Sequence, residues 1–441
     1  MSSKKELSTK ARKIIDKLNK RQYLAIPDSG QALSINLGRY AAIIESRHFQ
    51  RQKSLNQLAN AHIVFPKARH SRFEHAIDTG MRQEARGRFW AEFGMITEEQ
   101  ADHLTALGLI HDSWHGPSSH VLDRVCKIDH DTRAMQKIYE FRKQIEACGL
   151  NFAMMEALCQ ETDPLYLAIK HHPLGTDKFS YLTLDAHYCD SGKLDLRRLP
   201  PHTYWLDGEL MVDVTCLDDA IDLKWFYIKM YRDIYQKKAC LISQRVLEKE
   251  IYHLLASRRL HEDALWEMID EELSAKICTA KRGRKGYEKY RFRGSKCVVA
   301  FRMNGFGFVE NISGKKMRVI EKDEAFLDLL SEKENSSPAV LEKKERELAR
   351  VLGIDPLDLD IVPPMARFRF APPPIRIVNS YTTKLDTEIY PGNHRAMEER
   401  ARAYTVLRIC VSKELRNKVY KQAKLIEEFF DDWVKELSNP T

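Results

Sequence analysis

No apolar run in this 441-residue chain approaches the ~18 residues that a membrane-spanning helix requires, so no membrane partner is expected. None of its nine cysteines forms a C-x-x-C pair, which argues against a zinc ribbon or disulfide framework and for reduced thiols. The opening residues, MSSKKELSTKARK, carry charge but no apolar stretch behind it, unlike a signal peptide; a cytoplasmic location is the default expectation. Internal repeats and long low-complexity tracts are also missing. Neither sign of charge dominates: 71 Lys and Arg against 63 Asp and Glu leave +8. That balance suits a polyanionic small molecule and permits nucleic acid, but compels neither. At roughly 150 residues per domain, two or three domains are expected.

What is present is mostly helical patterning. Residues 8–20 predict a short basic helix with Ile14, Ile15 and Leu18 on one side, and 26–38, with Pro27, Gly30 and Gly38, predict a turn or short strands. From Arg39 to about Cys278, apolar residues recur at three and four, as in Ala101-Leu104-Ala106-Leu107-Ile110 and Phe226-Met230-Ile234. Strand signals are scarce there, and 192–215 reads as a loop. The segment 281–302 is basic and partly alternating, and predicts strands of a smaller sheet. A charged helix over 332–351, strands at Ala366–Phe370 and Leu407–Val411, and an amphipathic helix over Glu414–Leu437 complete the pattern. The expected fold is mainly α: a helical domain over 1–278 and a smaller basic α+β lobe over 279–441.

Eleven of the 16 histidines fall between His62 and His187, more than twice an even share. Within that stretch an apolar helix, Ala106–Ile110, runs into His111-Asp112, and Gly116-Pro117 ends it. Adjacent helix residues point about 100° apart, so this pair can offer two roughly perpendicular bonds to one metal. Arg72-Phe73-Glu74-His75 opens another helix and offers a third ligand, and a fourth is sought from a distant carboxylate, Asp177 or Asp185. A set of two histidines and two aspartates suits Mg, Mn or Fe. A bare His-Asp pair is ordinarily a helix-end histidine beside a solvated carboxylate. What raises this one above that reading is the R-x-x-H upstream and the H-G-P-x-S-H downstream.

The order and spacing of Phe49-Gln50-Arg51, Leu55-Asn56-Gln57-Leu58, Val64-Phe65-Pro66, His70–His75, His111–His120, Asp123, His130-Asp131 and Asp177–Asp185 resemble the HD-domain superfamily, in its deoxynucleoside triphosphate triphosphohydrolase branch. The similarity covers residues 25–260 well and 380–441 loosely. It implies a divalent metal on His75, His111, Asp112 and Asp177, with Asp185 moved to the substrate side. It implies that Gln57 and Leu58 contact the sugar, that Tyr181 packs against it, and that Asp185 bonds sugar or base-side groups. Arg72, His115 and Lys178 would hold phosphates, and Tyr235-Gln236 would complete the substrate site. His120, supported by Asp123 and by His130-Asp131, would be the acid-base group, since imidazole can donate a proton to a leaving oxygen near neutral pH.

The chain departs from that pattern in places. Trp114 stands where the branch has glycine, and Tyr227 aligns with an arginine that grips the triphosphate, with Lys224 and Lys229 only as neighbours. Asp28 sits at an effector-site position in a different surrounding motif. A homo-oligomer is expected, but nucleotide-activated tetramerisation is not. The leading expectation is a hydrolase releasing deoxynucleoside and triphosphate. The alternatives are an HD nuclease or phosphodiesterase, tracking nucleic acid through 281–302 with Tyr287, Tyr290 and Phe292, and a non-catalytic nucleotide sensor.

Overall fold

The computed structural model describes residues 5–19, 38–280, 283–292, 297–304, 318–365 and 372–438. The turn or short strands expected around Pro27 and Gly30, the effector-site position Asp28, the strand expected at Ala366–Phe370, and Lys281, Arg282, Arg293 and Lys296 lie outside them.

The fold is mainly α, as expected, with two small sheets. Its centre is the Glu98–Ile110 helix, opened by a reciprocal cap between Thr97 and Gln100. Every residue from Ala101 to Ile110 is buried, so the helix is packed on all sides rather than along one stripe. The Arg72–Glu92 helix lies against it, itself opened by a capping box: Ser71 Oγ accepts from the Glu74 amide, and the Glu74 carboxylate accepts from the Ser71 amide. Small residues bring these two backbones close. A methyl group at Gly108 would touch Gly80 Cα and the Thr79 carbonyl, both at 3.4 Å. His75 and His111 thereby end up on neighbouring elements.

The five-stranded sheet runs β1 (Lys5–Glu6), β8 (Thr382–Leu385), β7 (Arg376–Asn379), β3 (Glu209–Asp213), β2 (Thr203–Leu206). The segment expected as a loop therefore holds a hairpin, β2–β3, turning at Asp207-Gly208, where both residues have positive φ. Strand β7 pairs in parallel with β3, and Ile375, Ile377, Val378 and Met397 join the core of the helical part. The four-stranded sheet runs β5 (Arg318–Glu321), β4 (Cys297–Asn304), β9 (Leu407–Ser412), β6 (Leu359–Val362). The Pro338–Leu352 and Ala423–Ser438 helices cover one of its faces.

Two expectations are corrected in this lobe. The basic stretch is not all strand: among its described residues Gly283–Phe292 is a helix on the Lys238–Ala256 and Asp270–Thr279 helices, and strand begins at Cys297. The C-terminal amphipathic helix is broken, with Arg416–Tyr420 separated from Ala423–Ser438. No helix among the described residues is long and apolar enough to cross a membrane.

Candidate metal centre and substrate pocket

His75 sits in the first turn of its helix, His111 follows the last turn of the central helix, and Asp177 sits in the first turn of the Thr176–Tyr188 helix. Together with Asp112 they converge. His75 Nε2 stands 3.2 Å from Asp177 Oδ1 and 3.4 Å from Asp112 Oδ2; His111 Nε2 stands 3.6 Å from Asp177 Oδ1 and 3.6 Å from Asp112 Oδ1. Neither Nε2 has a hydrogen-bond partner.

The opposite ring nitrogens explain why. His111 Nδ1 donates to the Gly108 carbonyl at 2.9 Å. Ser180 Oγ donates to the His75 carbonyl and accepts from His75 Nδ1 at 3.0 Å. Both protons therefore reside on Nδ1, and two bare Nε2 lone pairs face two carboxylates. That arrangement repels unless a cation lies between, and it is how metal-binding histidines are held. Burial pulls the His75 pKa down, but without a metal the Asp112 and Asp177 carboxylates outweigh it and lift the imidazole to about 9, so a second proton on Nε2 takes the place that a bound cation would claim. Burial pushes Asp112 and Asp177 up, yet His111, His115 and Arg72 around the first and Lys178, His111 and His75 around the second hold both well below the usual carboxylate range. The four residues fit an oxygen- and nitrogen-seeking divalent cation.

Asp177 reaches this point because the chain bends tightly just before it. A methyl group on Gly175 would lie 2.0 Å from the Ile169 carbonyl oxygen. Buried Arg86 donates to the carbonyls of Ala168 and Leu174, holding the same bend. Gly175→Ala is expected to destabilise the protein by about 3 kcal/mol, the upper end of the overpacking range because the obstruction is backbone. Urea denaturation checks this; an unchanged midpoint would show that the bend is free to relax.

A second cluster lies beside the first. The rings of His115 and His130 are 3.8 Å apart, and His120 completes a triangle at 5.1 and 4.9 Å. Asp123 bridges Nδ1 of His120 at 3.0 Å and Nδ1 of His130 at 2.9 Å, and Asp131 Oδ2 lies 3.5 Å from His130 Nε2 while its other oxygen takes Lys170. His120 is 65% exposed; His115 is buried, its ring nitrogens make no hydrogen bond, and Nδ1 lies 3.4 Å from Asp112 Oδ1. Burial, then the charges of Arg72 and His130, hold His115 well below the usual histidine range. Burial opposes charge on His130 too, but Asp123 outweighs it and raises its pKa.

Arg72 does not pair with Glu74, which caps its own helix, or with Asp78, which pairs with Arg82 at 2.6 Å. It spans Asp112 at 2.5 Å and Ser119 Oγ at 3.0 Å and keeps Nη2 unpartnered. Lys178 Nζ lies 3.1 Å from Asp177 and 5.0 Å from the Tyr181 ring centre. Asp185 stands apart from the metal cluster, accepting from Tyr235 Oη at 2.6 Å and bonding His70 Nε2 at 2.8 Å. Gln57 is buried with Oε1 unpartnered, Leu58 packs half-buried on the main core, and Gln236 turns its amide to Met365 Sδ.

The departures also have definite places. The Trp114 indole packs edge-on against Phe141 in the main core, ring centres 5.3 Å apart. Tyr227 donates to Tyr231 Oη at 3.1 Å and meets His172 edge-on at 4.6 Å. Lys224 is committed to Asp386 at 2.7 Å and Lys229 to Asp233 and the Ser191 carbonyl, so neither takes the place of the missing arginine. The sequence motifs give no role to Ser180, His70 or Tyr231, and leave His172 as a supporting or surface group. The four-residue spacing of Tyr227, Tyr231 and Tyr235 was the available signal for Tyr231, since that spacing places rings on one helix face.

No protein-family model matches the chain. It is 22% identical over 233 residues to the uncharacterised protein YwfO of Bacillus subtilis (50% of this chain, 52% of that one). It is 28% identical over 237 residues to the uncharacterised protein MJ1154 of Methanocaldococcus jannaschii (52% and 49%). It is 38% identical over 85 residues to the human deoxynucleoside triphosphate triphosphohydrolase SAMHD1 (18% and 13%). The chain thus spans about half the length, or less, of these curated relatives. Among solved structures, a phosphohydrolase of Bacteroides thetaiotaomicron superposes with a TM-score of 0.64 at 15% identity, over 85% of this chain and 95% of that one. A hypothetical protein of Aquifex aeolicus gives 0.55 at 20% identity, over 87% and 95%. At these identities the structures establish the fold.

Proposed function

We propose that this chain, which resembles HD-domain phosphohydrolases of the deoxynucleoside triphosphate branch, is a metal-dependent phosphohydrolase releasing deoxynucleoside and triphosphate from deoxynucleoside triphosphates. The observation that carries the reading is the pair of unpartnered His75 and His111 Nε2 atoms facing Asp112 and Asp177. A divalent cation (Mg, Mn or Fe) bound there supplies Lewis-acid polarisation of a phosphoryl oxygen. The chain's own groups do the rest. Arg72 Nη2, neutral His115 and Lys178 bind and orient phosphate oxygens. His130 and His120, on the shared Asp123 carboxylate, hold the proton that the leaving 5′-oxygen takes, with Asp131 beside them. Gln57, Leu58, Tyr181 and Asp185 receive the sugar, and Tyr235 and Gln236 close the pocket. The active form is a homo-oligomer in this reading.

Purified protein loaded with each metal and offered a full nucleotide panel tests this. Turnover of deoxynucleoside triphosphates with triphosphate as product is the expected result; no turnover of any nucleotide would refute it. In the nuclease alternative, single-stranded nucleic acid binds with a steep negative salt dependence. Of that basic segment, Lys289 donates to the Leu357 carbonyl, Arg291 meets His62, and exposed Phe292 packs edge-on against Tyr287 at 5.8 Å.

The acid-base assignment predicts a pH profile. Asp123 raises the His130 pKa above the ordinary histidine value, so the proton-donating form persists above pH ~6.5 and is lost as pH rises through the raised value. Asp123→Asn is expected to shift the alkaline limb of kcat towards acid. An unshifted limb would remove His130 from the role.

A further inference from the structure

Two arginines lie side by side on a covered face of the four-stranded sheet with no acid between them. Arg302 on β4 and Arg408 on β9 are direct cross-strand partners, which puts their side chains on one face with Cα atoms about 4.5–5.5 Å apart. Phe301, Met303, Leu407 and Ile409 point the other way, into the core under the Pro338–Leu352 and Ala423–Ser438 helices. The arginine face is the one where Val299, Val362 and Cys410 meet Leu241 and Ile242 of the Lys238–Ala256 helix. Arg408 is 5% exposed; its Nη1 reaches the Val406 carbonyl at 3.2 Å, and the Nε of both arginines is unpartnered. No carboxylate pairs with either guanidinium among the described residues. Asn304, two residues beyond Arg302 on β4, is fully buried with Oδ1 and Nδ2 both unpartnered.

Such an arrangement is unfavourable by itself. Burial, then the Arg302 charge, pulls the Arg408 pKa down to about 10, and burial lowers that of Arg302 as well, but a guanidinium keeps its proton at neutral pH. Two adjacent like charges, Arg408 buried and Arg302 half-buried, call for an anion. Their planar forks match a tetrahedral oxyanion, and the Asn304 amide offers a further donor. None of the three residues belongs to the pocket described above.

We propose that Arg302, Arg408 and Asn304 form a second, non-catalytic site for a phosphate-type oxyanion. Its ligand is either free phosphate or one phosphoryl group of a longer phosphate chain. Bound there, it supplies the missing counter-charge and ties β4 to β9.

Thermal unfolding of the full chain tests this, at constant ionic strength, in chloride, inorganic phosphate or tripolyphosphate. Wild type is expected to gain a few °C at saturating anion, because ligand binding to the folded state adds stability. Arg302→Met/Arg408→Met is expected to lose that increment and, in chloride, to melt above wild type, since two uncompensated charges are gone. The catalytic pocket is unaltered in both proteins, so its own anion binding cancels in the comparison. Arg302→Met alone, at the less buried position, serves if the double variant does not fold, with the increment then expected to fall. Tripolyphosphate acting at tenfold lower concentration than phosphate identifies a phosphate chain as the ligand; equal potency identifies free phosphate. An increment unchanged in the variants, or a variant that melts lower in chloride while wild type shows no anion dependence, overturns the proposal.

Discussion

Asp177→Asn is expected to leave the chain folded but unable to hold its metal, with turnover reduced by at least ~100-fold, the loss that even outer supporting residues of such sites can cause. The amide keeps the shape of the carboxylate and removes its charge. His75 Nε2 and His111 Nε2 both approach the Asp177 oxygen that would be neutralised, so one substitution weakens the meeting point of two ligands. Elemental analysis after gel filtration, beside a nucleotide assay and circular dichroism, checks it. Full metal content with retained turnover would remove Asp177 from the ligand set. His111→Ala is expected to behave alike. Ser180→Ala provides a gentler test, since it removes only the two hydrogen bonds that Ser180 makes with His75, at Nδ1 and at the carbonyl.

The largest expected loss of stability comes from a pair far from the chemistry. Lys224 and Asp386 are both buried and 2.7 Å apart, and the other Asp386 oxygen accepts from the Ile375 amide at 2.8 Å. Lys224→Met leaves a buried carboxylate without its counter-charge, at a cost of about 3–5 kcal/mol. The double variant Lys224→Met/Asp386→Asn is expected to recover part of that, because the asparagine oxygen can still accept from Ile375 while no charge stays unpaired. Denaturant unfolding of the single and double variants measures the coupling. Two single variants within ~0.5 kcal/mol of wild type would show that the pair is not what holds residue 386 to the Leu217–Met230 helix.

The candidate metal centre was more legible than the fold around it. His75, His111-Asp112 and Asp177 announce themselves through chemistry-bearing residues at fixed local spacing, and the capping box at Ser71–Glu74 marks where the His75 helix begins. The β2–β3 hairpin was illegible because Thr203–Leu206 is buried at every position, so the alternation that identifies a half-exposed strand never appears. Gly283–Phe292 misled in the opposite direction. Its interleaved basic and aromatic residues mimic a strand, but packing against two long helices decides its conformation, with Gly286 giving the Glu250 side chain room. Asp185 could not be excluded as a ligand by spacing alone; its bonds to His70 and Tyr235 depend on segments far apart in the chain.

The pairing of β7 with β3 bears on how far the molecule can be divided. A chain cut after residue 278 would retain His75, His111, Asp112 and Asp177 but lose both inner partners of the five-stranded sheet, leaving β3 with an open edge and β1 with nothing to pair against. Ile375, Ile377 and Val378 would also vanish from the core beneath the central helix. The part that carries the candidate metal centre is thus not a module that can be excised at the composition boundary: its last structural contribution arrives more than a hundred residues downstream of Asp177, and a fragment that keeps its core must extend at least through the Pro391–Arg402 helix.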